Sequence, residues 1–142
     1  MNIYSMLLLS LVLTSCSTLT LEQYKEKYSP PIDIKLKQDY KNAYKTIINV
    51  MPTCYTVEHS ENITLEVDHK LEESKNLAHV YYIVKNNPFY PDQIIYYVEL
   101  HKIRDDESLA KVYAKGDIFR STKSFIKNIQ AWTSGDSKKC FK

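Results

Sequence analysis

The period of the hydrophobic pattern changes twice along the chain, and this change restricts the fold more than any other sequence feature. Between residues 55 and 116 apolar and polar residues alternate, most regularly over 63–68. Alternation with a period of two indicates a strand with one buried face. Three more strands are predicted at about 77–85, 94–103 and 109–115. Short connections between successive strands favour an antiparallel meander of four strands.

Helical spacing of apolar residues is found on both sides of this region. The first stripe predicts a helix over 36–51, which Pro52 should end. The second stripe, containing Phe125, Ile129 and Trp132, predicts a helix over 118–133, with Gly135 well placed to terminate it. Apolar residues of the first stripe recur at i, i+3, i+4, i+7, i+8 and i+11: Tyr40, Ala43, Tyr44, Ile47, Ile48 and Met51.

The order helix, four strands, helix predicts an α+β fold, a two-layer sandwich with the N-terminal and C-terminal helices on one face of the sheet. This domain is expected to cover 36–142. The chain has 142 residues, 44% of them apolar and 25% charged, which is the composition of one globular domain. A net charge of +2 gives no reason to expect nucleic acid as a partner, and only 2 glycines leave no room for a phosphate-binding loop.

The first residues have the pattern of an export signal. Residues 1–13 contain no charged side chain, and the apolar run 6–13 is followed by Thr14 and Ser15. This run is too short to cross a bilayer, which takes roughly 20 apolar residues. An apolar run of this length before small residues is typical of a cleaved secretory signal, here predicted at 1–15.

Leu13, Thr14, Ser15 and Cys16 then follow in the order of a lipobox. The N-terminus therefore resembles that of small bacterial envelope lipoproteins, and the tail resembles theirs more loosely through Trp132, Gly135 and Cys140. The resemblance implies cleavage before Cys16 and acylation of that cysteine, which would hold the protein stably at a membrane. Two alternatives stay open, namely an ordinary cleaved signal that leaves Cys16 as a thiol, and an uncleaved N-terminal anchor.

The residue after the cysteine bears on sorting. Ser17 stands where an aspartate often marks retention in the inner membrane, so the resemblance implies an outer-membrane location, facing the periplasm. Residues 16–35 are polar, apart from a turn of helix around 22–28, and are expected to form an acylated tether that holds the domain off the lipid.

Two cysteines remain besides Cys16. Cys54 and Cys140 each follow a predicted helix, and an even pair in an exported protein is more often bridged than free. A disulfide closing a loop of this length is worth roughly 4 kcal/mol in the chain-entropy model. The competing interpretation is a pair of thiols, although no Cys-x-x-Cys motif supports redox catalysis.

The predicted third strand offers a surface for binding. Its alternation places Ile94, Tyr96, Val98 and Leu100 toward the helices and Ile95, Tyr97, Glu99 and His101 on the other face. With Tyr81 and Tyr113 on the neighbouring strands, this second face is expected to be uncovered and rich in tyrosine. Tyrosine rings suit partner recognition, and they are also common on sheet faces that bind nothing. The proposed partner-binding residues are Tyr81, Tyr97, His101 and Tyr113.

The sequence thus favours a non-enzymatic, membrane-anchored lipoprotein of the bacterial envelope that binds another envelope component, with no cofactor. The alternative is a small periplasmic metal-binding protein or hydrolase that uses His79, Glu99 and His101. No histidine pair has the spacing of a zinc module, and no Gly-x-Ser-x-Gly motif is present, so no metal ligand or catalytic residue is assigned.

Overall fold

A computed structural model describes residues 19–55, 63–86, 92–115 and 121–141. The predicted signal peptide, Cys16 and Ser17 lie outside these residues. Along the described chain, three α-helices and five strands follow one another, in this order: α1 (Leu21–Lys27), β1 (Ile32–Leu36), α2 (Tyr40–Cys54), β2 (Ile63–Glu72), β3 (Leu77–Asn86), β4 (Gln93–Arg104), β5 (Glu107–Ala114) and α3 (Thr122–Thr133).

The strands form one antiparallel sheet in the order β1-β5-β4-β3-β2. The meander of β2 to β5 confirms the sequence prediction, and the α+β class holds. The count of four strands is wrong, because β1 pairs with the outer edge of β5, with Ile34 opposite Ala110. In β1, Ile32, Ile34 and Leu36 alternate with Asp33 and Lys35, a strand signal too short to stand out behind two prolines.

The segment predicted as a tether is therefore largely folded. Residues 21–27 form α1, and residues 32–36 form β1. Thr20 and Gln23 make a capping box at the start of α1, in which each side chain accepts a hydrogen bond from the other residue's backbone N–H. The prediction of a helical turn near residue 22 is confirmed, and the unfolded tether over the rest of 21–35 is wrong.

Helix α2 differs from its prediction at both ends. It begins at Tyr40 because the Asp39 carboxylate accepts hydrogen bonds from the backbone N–H groups of Lys41 and Asn42. Pro52 does not end it. The helix continues to Cys54, since a proline removes only one N–H, and beyond it Tyr55 N donates a helical hydrogen bond to Met51 O at 3.0 Å.

Helix α3 ends as predicted at glycine. Gly135 has φ +100, a conformation that favours glycine. Its N–H donates to Trp132 O, and the N–H of Asp136 donates to Ala131 O at 2.9 Å, which together form a Schellman motif. The start of α3 is Thr122, capped by the Ser121 hydroxyl, and the predicted earlier residues 118–120 lie outside the described part of the chain.

Helices α2 and α3 pack on one face of the sheet, as predicted, and enclose the main hydrophobic core. Within it, the rings of Tyr96 and Phe125 stack with centroids 3.9 Å apart, and Trp132 is 1% exposed. Helix α1 lies on the opposite face, over a second and smaller core. Helices thus cover both faces of the sheet, although α1, the helix on the second face, has only seven residues.

Candidate functional site

Three tyrosines form a ladder across the sheet on the face that carries α1. Tyr81, Tyr97 and Tyr113 are direct cross-strand neighbours on β3, β4 and β5. Their rings stack, with centroid separations of 4.9 Å between Tyr81 and Tyr97 and 5.6 Å between Tyr97 and Tyr113. The prediction that these side chains share one face of the sheet is confirmed, because strict alternation along each strand brings them there.

The prediction that this face is uncovered is wrong. Tyr97 is 0% exposed and Tyr113 is 7% exposed, because Tyr24 of α1 packs against both. Leu21 of the same helix and Tyr28, its C-cap residue, add to this second core, which reaches Tyr81. The spacing of Leu21, Tyr24 and Tyr28 is i, i+3, i+7, which is the apolar stripe of a helix. This stripe and the capping box are the sequence features from which α1 could have been predicted.

A β-bulge shifts the start of β4. Tyr82 pairs with Tyr96 and Ile83 pairs with Ile94, so Ile95 is an extra residue on β4. Ile95 therefore lies in the main core and Ile94 packs against the α1 side, the reverse of the predicted assignment for both. Beyond the bulge the predicted faces hold, with Tyr96, Val98 and Leu100 toward the helices and Tyr97 away from them.

Tyr24 fastens α1 to this bulged end of the sheet. Its hydroxyl donates to Ile95 O at 2.8 Å, lies 3.3 Å from Tyr113 O, and accepts the N–H of Lys115 at 3.1 Å. Tyr24 is 2% exposed, so these contacts are made out of water. Burial raises the pKa of the Tyr24 hydroxyl, which therefore stays protonated and able to donate.

A hydrogen-bonded chain of side chains runs from β3 across β4 to α1. Glu99 Oε1 accepts from the Tyr97 hydroxyl at 2.8 Å and from Lys25 Nζ at 2.7 Å. His79 Nδ1 lies 2.6 Å from the same Tyr97 oxygen. The Tyr97 hydroxyl donates its hydrogen bond to the Glu99 carboxylate, so it must accept one from His79, and we assign the His79 proton to Nδ1 on that ground.

Burial and the ion pair between Lys25 and Glu99 set the charges of these hydrogen-bonded side chains. Burial raises the pKa of the Glu99 carboxyl, but the hydrogen bonds from Lys25 and Tyr97 outweigh it, and the pKa lies below its ordinary value. The hydrogen bond to Glu99 raises the pKa of Lys25, and burial lowers that of His79. At neutral pH the site therefore holds one carboxylate, one ammonium group and a neutral imidazole.

His101 completes the predicted group of His79, Glu99 and His101. Its Nε2 lies 3.3 Å from Glu99 Oε2, so the structure brings all three side chains to one site. Lys25 already supplies a positive charge to Glu99, with its Nζ atom 2.7 Å from Oε1. Among residues 19–55, 63–86, 92–115 and 121–141, no three His, Cys, Asp or Glu side chains are arranged to hold a metal ion.

The two cysteines assigned to a disulfide are bridged. Cys54 and Cys140 form the bond, with their Cα atoms 5.5 Å apart, and thereby join the end of α2 to the segment after α3. The sequence prediction of this pairing is confirmed. None of the described helices combines the length and the apolar character needed to cross a membrane.

No protein-family model matches the sequence, and neither the curated proteins nor the solved structures contain a match to it.

Proposed function

We propose that the protein is a non-enzymatic lipoprotein of the bacterial envelope, attached through Cys16 and binding another envelope component at the periplasmic side of the outer membrane. One observation carries this proposal. The chain has 3 cysteines, and the fold uses Cys54 and Cys140 in a disulfide. The remaining cysteine is the one that follows Leu13, Thr14 and Ser15.

The disulfide supports export independently of the N-terminal sequence. Structural disulfides persist in oxidising compartments such as the periplasm and are rare in the cytosol. Cys54 is 5% exposed, so its sulfur is part of the core rather than a surface thiol. A periplasmic location and an apolar leader that ends at Cys16 together favour lipid attachment over a free thiol at that position.

Lipid labelling in bacteria that express the full chain tests the attachment. Cys16→Ser should abolish incorporation of a labelled fatty acid, because the thiol is the acylated group. Cys54→Ser is the matched control, since it also removes one cysteine but leaves the sequence around Cys16 intact, and it should keep the label. Unchanged labelling of Cys16→Ser would overturn the proposal.

The partner-binding surface is narrower than the sequence indicated. Tyr97 and Tyr113 lie beneath α1, whereas Tyr81 is half-buried and the His101 side chain is 38% exposed. We place the surface on the open strip of β3 and β4 beside α1, which includes these two residues. The Tyr81 ring stacks on Tyr97, and His101 lies within hydrogen-bond distance of Glu99. Both side chains are therefore already ordered and lose little conformational entropy on binding.

Site-specific photo-crosslinking in intact envelopes tests this surface. A photo-reactive amino acid in place of Tyr81 should give a discrete adduct with one envelope component. The matched control is the same amino acid at Lys45, an exposed position of α2 on the opposite side of the sheet. Adducts of equal yield and pattern at both positions would contradict the assignment of the strip.

The alternative, a metal-binding protein or hydrolase, is the weaker hypothesis because the Glu99 carboxylate already accepts hydrogen bonds from Lys25 and Tyr97. Titration of the purified protein with zinc separates the two. We expect no saturable binding and no change in the unfolding temperature. Stoichiometric binding that is lost in His79→Ala and in His101→Ala would favour the alternative.

A further inference from the structure

We infer that the outer edge of β2 docks an extended segment of a partner protein, which adds antiparallel to β2 as a sixth strand and places basic side chains opposite Glu66 and Asp68. The inference rests on the partner binding proposed above, because Asp68 lies directly opposite Tyr81 and continues that surface to the edge of the sheet. It does not depend on acylation of Cys16. The length of β2, the direction of its backbone groups and its charges carry it.

Strand β2 is the longer of the two edge strands. It lies at the other end of the sheet from β1, has ten residues against the five of β1, and pairs with β3 without a break in register. Proteins often blunt an exposed edge with a proline or a β-bulge, and β2 contains neither. It therefore offers a long and regular template to another strand.

The direction of the backbone groups of β2 follows from the register of the sheet. Lys102 N donates to Asn76 O at 3.1 Å, and every second pair between β3 and β4 from there to the bulge is hydrogen-bonded in the same way. Val80 is in such a pair, so its neighbour Tyr81 is bonded to β2 instead, through Asp68. The backbone groups of alternate residues of β2 therefore point outward, namely those of Leu65, Val67, His69 and Leu71.

His69 gives independent evidence for this direction. Its N–H donates to the Asp68 carboxylate at 2.8 Å rather than to β3. Among the contacts of the described residues, this is the one hydrogen bond made by the outward backbone groups of 65, 67, 69 and 71. The remaining outward groups are available to an added strand, and a cation that pairs with Asp68 would release the N–H of His69 as well.

The side chains of β2 determine what an added strand has to carry on each face. On the helix side, Leu65 and Val67 pack against the main core and are partly buried, so apolar side chains opposite them would extend that core. On the α1 side, Glu66 and Asp68 are exposed, and basic side chains opposite them would form cross-strand ion pairs. Glu66 already pairs with Lys85, whereas Asp68 takes part in no ion pair between described residues.

The same charges argue against a second copy of this chain as the partner. Outward residues can stand opposite only outward residues in an antiparallel pair, which limits the registers of two β2 strands. In the registers that overlap most of the strand, two carboxylates lie directly opposite each other: Glu66 and Glu66, Glu66 and Asp68, Asp68 and Asp68, or Glu66 and Glu72. Like charges directly opposite are destabilising, whereas lysine or arginine at these positions of a partner is attracted.

Amide hydrogen exchange with synthetic peptides tests the edge on the full chain. The probe is a peptide about nine residues long that alternates lysine and valine, and its matched control carries glutamate in place of lysine. Without peptide, the amides of Glu66 and Lys70 should exchange slowly, because they are bonded to β3, and those of Val67 and Leu71 should exchange fast. The lysine peptide should slow exchange at Val67 and Leu71, and the glutamate peptide should bind several-fold more weakly.

A charge reversal tests the side chain that sets this preference. In Asp68→Lys the preference for the lysine peptide should fall several-fold. Lys45→Asp is the matched control, since it reverses an exposed charge on α2, and it should keep the preference. A preference that is unchanged in Asp68→Lys would overturn the proposed pairing with a basic strand.

The possible results also separate this inference from the proposed function. Unchanged exchange at Val67 and Leu71 with both peptides would overturn the docking edge and leave the crosslinking result at Tyr81 as it stands. Slow exchange at these amides that appears without peptide and increases with protein concentration would identify a second copy as the occupant and overturn the inference. Slowing by the lysine peptide without any adduct at Tyr81 would support the edge and remove the strip of β3 and β4 from the proposed surface.

Discussion

The hydroxyl group of Tyr24 offers a direct test of whether α1 is part of the fold. We expect Tyr24→Phe to destabilise the protein by about 1 to 2 kcal/mol, the range for removing one partner from buried hydrogen bonds. The hydroxyl donates to Ile95 O at 2.8 Å and accepts from Lys115 N at 3.1 Å. The cost stays below the sum of two separate losses, because Lys115 N also donates to Ile95 O at 3.1 Å and keeps that bond.

Urea unfolding of the disulfide-bonded protein measures this cost. The matched control is Tyr28→Phe at the C-cap of α1, which removes the same atom from a half-buried ring whose centroid lies 4.5 Å from that of Tyr24. No hydrogen bond of the Tyr28 hydroxyl is among the contacts of the described residues, so its loss should change the free energy of unfolding by less than about 0.5 kcal/mol.

Amide hydrogen exchange gives a second, local measurement. In Tyr24→Phe the amide of Lys115 loses one of its two acceptors and should exchange faster than in the Tyr28→Phe control. Equal free energies of unfolding for the two variants, together with unchanged exchange at Lys115, would refute the conclusion that α1 is fastened to the sheet through this hydroxyl.

Three further variants test other parts of the structure. Cys140→Ser should lower the free energy of unfolding by about 2 to 5 kcal/mol, measured by urea unfolding, and alkylation of two thiols in the native, non-reduced wild type would contradict the bridge to Cys54. Tyr97→Ala should cost about 3 to 5 kcal/mol, since the ring is 0% exposed, and a cost near zero would show that α1 does not cover it. The lowered pKa of Glu99 adds stability above the ordinary pKa of 4.5 that is lost as pH falls through the folded value. In Glu99→Gln the acid-induced loss of stability in that window should be smaller, and an unchanged pH profile would contradict the ion pair.

The regular elements could be predicted because their patterns are long. The alternation in β2 to β5 and the apolar stripes of α2 and α3 each repeat over several turns or residue pairs, and the structure follows them. Strand β1 has five residues and α1 has seven, so each shows its pattern only two or three times before it ends. Elements this short are stabilised by what they pack against, and the packing partner cannot be seen in their own sequence.

In the candidate site, too, some features could be predicted from the sequence and others could not. The faces of Tyr97 and Tyr113 follow from strand alternation and were predictable. Their burial under Tyr24 was not, because it depends on a contact between residues more than 70 positions apart. The exchange of Ile94 and Ile95 between faces was not predictable either, since two adjacent isoleucines suit both faces and nothing in the sequence marks the bulge.

The pairing of β1 with β5 also bears on when the protein can fold. Ile32 pairs with Val112, and the Tyr24 hydroxyl donates a hydrogen bond to Ile95 O. The first described elements, α1 and β1, therefore contact residues much later in the chain. A chain that emerges through a membrane from its N-terminus has α1 and β1 available long before β5. The sheet edge and the α1 face therefore remain without partners until residue 115 has emerged. Contacts so distant in sequence form slowly, which suits the export that we propose, in which a chain crosses the membrane unfolded and folds afterwards.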